Sequence, residues 1–318
     1  MRIRLNLPVI AVGIALFVAA FANAQPPPDE TKPRVRTVTI PISIFTKKEL
    51  RGNQAEEFVQ ADRLIVKENN EEQPILSIRS VSESPMSIAL LIQDDLTSTF
   101  NLQLKDIQSF IRNLPSGTRV MVAYSRSGSL DVRQRFTDDL DKAAKSLRIV
   151  SGSSSLAPRS PFDGVSDSLG RFDGLPSGRR AILLFSDGLD TSSGTNLASI
   201  SQSFELDQSI LKAQRKSVAV YSFYAPTALS ESGNSIFALA AQGALVKLSD
   251  HTGGRAFFQG SSAPVSYVPF FKDLVLSLNR QFSLTYLTTH MKKSYYKVSV
   301  MSTNPEIKIE HPKGYYYR

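Results

Sequence analysis

The chain has 318 residues, 42% of them hydrophobic and 21% charged, proportions of a folded protein with room for one large domain and an accessory one. It holds no cysteine, which excludes disulfides, a thiol nucleophile and cysteine-ligated zinc, and its formal net charge of +8 favours acidic partners. Lys and Arg are dispersed rather than gathered into a basic block with interleaved aromatics, so nucleic acid is not an expected partner.

Arg2 and Arg4 precede an apolar run from Val9 to Ala22, and Ala22-Asn23-Ala24 supplies small residues at a cleavage position. Residues 1–24 therefore read as a signal peptide, with an uncleaved anchor as the alternative; the signal peptide implies export to the periplasm, the cell surface or the medium and no membrane span after cleavage. Residues 25–34, with Pro26-Pro27-Pro28, read as a stiff linker. Over 35–84 the signal is β: Thr37 to Ile44 alternates, Arg63 to Val66 and Ile75 to Ile78 are short apolar strands, and Glu68 to Glu72 is a turn.

From 85 to 281 strands alternate with helices, the signature of an open α/β sheet. Ser87 to Gln93 is a strand, followed by a helix with Leu104, Ile107, Ile111 and Leu114 on one face. Arg119 to Tyr124 and Leu130 to Phe136 form a hairpin whose outer strand is expected to turn Arg133 and Arg135 to solvent. A short helix carries Leu140 to Leu147, and a Ser/Pro/Gly loop, Ser151 to Ser160, enters a helix over Pro161 to Phe172. Then follow a strand at Arg180 to Ser186, a helix at Leu206 to Arg215, a strand at Val218 to Tyr224 and a helix at Ile236 to His251. His251, where that helix ends, is expected to serve its dipole. A strand at Arg255 to Phe258 and a helix from Phe270 to Arg280 close the domain. Residues 282–318 alternate again as Phe282 to Thr288, Tyr296 to Met301 and Glu306 to Glu310. Six of the ten tyrosines fall here, and they are expected to fill strands that pair with the N-terminal β-unit, because neither segment can build a core alone.

Two apolar runs stop abruptly at carboxylates: Ile88 to Ile92 before Gln93-Asp94-Asp95, and Ala181 to Phe185 before Ser186-Asp187. Runs of this kind are strands buried on both faces of a parallel sheet, and ligands bind outside the carboxyl ends of such strands. Two carboxylates meeting there repel each other unless a cation lies between them. Asp190, three residues further on, reads as a solvated loop residue.

This order of elements, with Asp95-Leu96-Thr97-Ser98-Thr99 after the first strand and Ser186-Asp187-Gly188 after the fourth, resembles the von Willebrand factor A-type domain. The resemblance implies a Rossmann-like, mostly parallel sheet with helices on both faces, to which the N-terminal segment and C-terminal tail add a small accessory β-unit. It further implies a metal-ion-dependent adhesion site, with Asp95, Thr97, Thr99, Ser160 and Asp187 around Mg²⁺ or Mn²⁺ and an acidic side chain of a protein partner completing the shell. Ser153, Ser154 and Ser155 are alternatives to Ser160. In a register slipped by one, Asp94 takes the place of Asp95, and Leu96 displaces a hydroxyl. With its flanking segments and its Lys313-Gly314-Tyr315-Tyr316 ending, the chain resembles the exported proteins related to this domain in Acidobacteria. A non-enzymatic interaction module is thus expected. A metal-free scaffold with a degenerate site is the alternative, and an exported hydrolase is disfavoured because no Gly-x-Ser-x-Gly elbow follows a predicted strand.

Overall fold

The predicted alternation of strand and helix is present in the computed structural model, which describes residues 34–46, 64–81, 84–126, 129–152, 159–176, 178–194, 203–231 and 235–317. The expected signal peptide, all but the last residue of the expected linker, and Ser153, Ser154 and Ser155 lie outside these residues. In chain order the strands are β1 (Arg36–Thr46), β2 (Leu64–Glu68), β3 (Glu71–Gln73), β4 (Ile75–Ser80), β5 (Met86–Gln93), β6 (Arg119–Arg126), β7 (Ser129–Thr137), β8 (Arg179–Ser186), β9 (Ala219–Tyr224), β10 (Ala256–Phe257), β11 (Gln281–Thr288), β12 (Ser294–Ser302), β13 (Ile307–Glu310) and β14 (Gly314–Tyr317). The helices are α1 (Leu104–Arg112), α2 (Leu140–Lys145), α3 (Pro161–Leu169), α4 (Phe204–Arg215), α5 (Ala228–Glu231), α6 (Ser235–Thr252) and α7 (Val268–Asn279).

Six strands form the central sheet in the order β10-β9-β8-β5-β6-β7, parallel throughout except for the antiparallel β6–β7 hairpin. All eight residues of β5 are buried, because helices cover both faces. Ile88, Leu90 and Ile92 pack with Ile107, Phe110 and Ile111 of α1 and Phe271 and Leu274 of α7. Ala89 and Leu91 face the opposite layer, with Phe162 and Val165 of α3, Ile210 of α4 and Leu245 of α6. Each such Ile or Leu contributes about 1.5–3 kcal/mol by leaving water. This is the open, mostly parallel α/β sheet that the resemblance implies, with its antiparallel strand at one edge. On that edge strand Arg133 and Arg135 are exposed, as the alternation predicts, while Phe136 packs edge-on against Phe172.

The flanking segments build two four-stranded sheets, β13-β1-β11-β4 and β14-β12-β2-β3, which share one core. Strands from before and after the α/β domain alternate in the first sheet and meet at one seam in the second: β1 pairs antiparallel with β11 (Ile40 opposite Leu284), and β2 with β12 (Val66 opposite Val300). Asn69 and Asn70, both at positive φ (49° and 70°), make the tight β2–β3 turn in the predicted polar cluster. At the core's edge the buried Glu68 carboxylate accepts from Tyr286, Thr288 and Tyr315 hydroxyls and pairs with His290 Nδ1. The Arg36 guanidinium donates to Tyr315 Oη (2.5 Å) and lies 3.9 Å from the centroid of the Tyr317 ring. β14 was not among the predicted strands; it forms because β12 offers an edge, with Tyr296 opposite Tyr315.

Candidate functional site

The site lies at the carboxyl ends of β5 and β8, where α/β folds bind ligands. Register sets it up: Ile92 lies beside Phe185, so Gln93 and Ser186 are the last strand residues and the carboxylates follow both. Beneath them Phe185 is fixed by Phe223, Phe100 and Tyr267. Phe100 comes from a 3₁₀ turn over Ser98–Gln103 that precedes α1 and was not predicted.

Gln93 ties the two strand ends together. Its Oε1 accepts from Ser186 Oγ (2.6 Å) and Asp187 N (3.2 Å), and its Nε2 donates to Asp95 Oδ1 (2.9 Å). The amide can take only this orientation, because an ionised carboxylate accepts and a backbone N–H donates. Asp187 is fully buried; its Oδ1 accepts from Leu189 N (3.0 Å) and its Oδ2 from Thr227 Oγ1 (2.6 Å). Burial pushes its carboxyl up, opposed by the Arg159 charge, the Thr227 hydroxyl and the Leu189 N–H, and reinforced by Asp95. Gly188 follows at φ +75°, and a Cβ there would lie 2.6 Å from Ala241 O on α6, so only glycine allows this turn against the helix.

The cation between the carboxylates belongs to the chain. Arg159 places Nε 3.0 Å from Asp95 Oδ2 and donates from Nη2 to Asp187 Oδ2 (3.4 Å), with its side chain only 6% exposed. Thr191 holds the Arg159 backbone: its hydroxyl accepts from Arg159 N, and its own N–H donates to Arg159 O.

The remaining expected ligands are otherwise engaged. Ser160 caps α3 by accepting from Phe162 N (3.3 Å) and donates to Asp190 Oδ2 (2.9 Å). The Thr97 and Thr99 hydroxyls bond to each other (2.7 Å). Asp94 leaves the pair, taking Arg148 (2.6 Å) and Arg126 (3.9 Å), so Asp95 is the acid that shares a cation with Asp187. Asp190 is not the solvated residue expected; it is buried and accepts from Ser160, Ser192 and Ser203. At the end of α6, burial and then the Lys247 charge push the His251 imidazole down, against the cationic form that the helix dipole would favour.

Among the described residues no group of three or more His, Cys, Asp or Glu side chains could hold a metal ion. Asp95 Oδ2 is buried and accepts no hydrogen bond although it pairs with Arg159, a feature that a cation would improve. The donor set around it does not fit a bound divalent ion while the Arg159 guanidinium lies between the acids and Ser160 donates to Asp190.

Arg159, Gln93 and Thr227 were missed in the sequence. The available signal was Arg159 itself, the only charged residue in the Ser151 to Ser160 loop.

No family model and no curated protein matches this chain. Among solved structures it is similar to an aerotolerance-related membrane protein from Bacteroides fragilis, at 12% identity over 61% of this chain and 98% of that one, with a TM-score of 0.41. The SpRpn10 VWA domain is 16% identical over 60% of this chain and 93% of its own, at 0.33. Proximal thread matrix protein 1 from the mussel byssus, solved with zinc in its MIDAS motif, is 11% identical over 68% and 50%, at 0.43. Nothing about ligand or activity transfers at such values.

Proposed function

We propose that this chain is a non-enzymatic protein-interaction module, exported by its first residues, that receives an acidic partner at the carboxyl-end face of the α/β sheet. The observation that carries the reading is the rim around Asp94. Arg126 and Arg148 converge on that buried carboxylate, Arg148 and Arg133 also on Asp131, so three guanidinium groups face two acids and one positive charge is left over at the surface. Leu102 and Ile149 stand exposed beside them (78% and 68%), their segments joined by the paired hydrogen bonds of Asn101 with Val150. Val265, 92% exposed, adjoins the same turn through the bond from Gln103 to its carbonyl. An acidic residue flanked by an apolar one complements such a surface in both charge and burial. In the metal-bridged version, Asp95, Thr97, Thr99, Ser160 and Asp187 would hold Mg²⁺ or Mn²⁺ and the partner's carboxylate would reach the ion. The contacts of Arg159 favour the version in which the partner is held by the rim. No described helix is long and apolar enough to cross a membrane. Export rests on Arg2, Arg4 and the apolar run of Val9 to Ala22.

The test is a titration of fluorescent peptides carrying Asp or Glu beside Leu or Phe, followed by anisotropy. Arg126→Glu and Leu102→Asp should each weaken binding at least about tenfold, as should Asn in place of the peptide's Asp, whereas Arg79→Glu on the accessory sandwich should not. Binding indifferent to the rim substitutions would dismiss the reading.

A further inference from the structure

Asp95 and Asp187 bring two negative charges to adjoining strand ends, one carboxylate fully buried and the other with its side chain 11% exposed. Such a pair stays ionised only beside a fixed positive charge. Arg159 supplies one that cannot be deprotonated, on a planar fork able to reach both acids. It is built in rather than incidental: Thr191 holds its backbone on both sides, and its side chain is buried. Two hydroxyls that could otherwise turn to an ion are held by carboxylates, Thr227 by Asp187 and Ser160 by Asp190.

We infer that Arg159 is the resident cation of this site: it neutralises Asp95 and Asp187 in place of a divalent ion, excludes such an ion from the same position, and frees the fold from dependence on Mg²⁺ or Mn²⁺. Like charges cannot share the space between the two carboxylates, so guanidinium and metal are alternatives. Asp95 Oδ2, which pairs with Arg159 but accepts no hydrogen bond, is the point at which a metal would gain hold once the guanidinium is removed. The inference concerns charge balance and stands whether or not the rim binds an acidic peptide.

The experiment compares thermal melts of the wild type, R159Q and the double variant R159Q/D187N in chelator and in Mg²⁺ raised from micromolar to millimolar. Wild type should melt at one temperature throughout. R159Q should melt lower in chelator and climb with Mg²⁺ once the concentration passes the dissociation constant. R159Q/D187N, relieved of one carboxylate, should recover part of the loss in chelator and no longer respond to Mg²⁺. Equal Mg²⁺ responses in wild type and R159Q, whether large or nil, would overturn the inference. Should R159Q be recovered unfolded, Mn²⁺ paramagnetic resonance on the wild type gives the same decision. Saturable binding there overturns the inference. Absence of binding, with R159Q/D187N folded, upholds it.

Discussion

Replacing Glu68 by glutamine should unfasten the accessory sandwich with almost no change of shape. The carboxylate is buried and its Oε1 accepts from Thr288 Oγ1 (2.6 Å) and pairs with His290 Nδ1 (2.7 Å). Its Oε2 accepts from the hydroxyls of Tyr286 (2.8 Å) and Tyr315 (2.7 Å). An amide offers one acceptor oxygen and one donor nitrogen, so one side of the cluster loses its acceptor and the other keeps only a neutral one. Bonds to a charged acceptor contribute about 1.5–3 kcal/mol each against about 1 for neutral ones, which puts the loss on the order of 4 kcal/mol. For a chain of this size that is a fall in Tm of roughly 10 °C, read by circular dichroism at neutral pH. The pH dependence has a definite sign. Burial raises the carboxyl's pKa, but the bonds from Thr288, Tyr315, Tyr286 and His290 outweigh it and hold the group below its ordinary 4.5. Its contribution is therefore complete above that value and is lost as pH falls through the folded pKa, so wild type and Glu68→Gln should converge in acid. A Tm unchanged at neutral pH, or a gap that persists undiminished into strong acid, would refute the reasoning.

Gly188→Ala should lower the urea midpoint by an amount equivalent to roughly 2–4 kcal/mol, because a Cβ at φ +75° also meets Ala241 O at 2.6 Å; an unchanged midpoint would show that α6 moves aside freely. Tyr124→Phe should cost about 1–3 kcal/mol, since one hydroxyl donates to Arg148 O (2.7 Å) and accepts from Arg148 N (2.8 Å). Hydrogen exchange at the Arg148 amide reads this directly, and undiminished protection there would count against it.

The order of the α/β elements was legible because continuous apolar runs such as Ile88 to Ile92 admit little but a buried parallel strand. The interleaved sandwich was legible from the weakness of each flank alone. β10 shrinks to Ala256–Phe257 from the expected Arg255 to Phe258, and β14 went unseen, because both are pairings that a neighbour's edge permits rather than patterns in their own residues. At the site, Asp95 and Asp187 announced a need for positive charge, but not its source. A loop arginine has no periodicity to place it, and only the burial of its side chain against Asp95 and Asp187 shows that Arg159 turns inward. Ser160 and Asp190 misled for a related reason: a hydroxyl or a carboxylate in a loop reads the same in sequence whether it caps a helix, satisfies a neighbour or binds an ion.

Arg36 and Tyr317 touch, with the guanidinium 3.9 Å from the ring centroid, while the α/β domain is threaded between strands that pair across it. A load applied through those two residues runs from β1 into β11 and from β14 into β12, and so passes along the sandwich ladders before it can reach β5 or α7. The inserted domain then hangs outside the line of tension, and the rim at its far end keeps its shape until the sandwich itself gives way. A tethered binding face of this kind would be shielded mechanically by its own accessory strands.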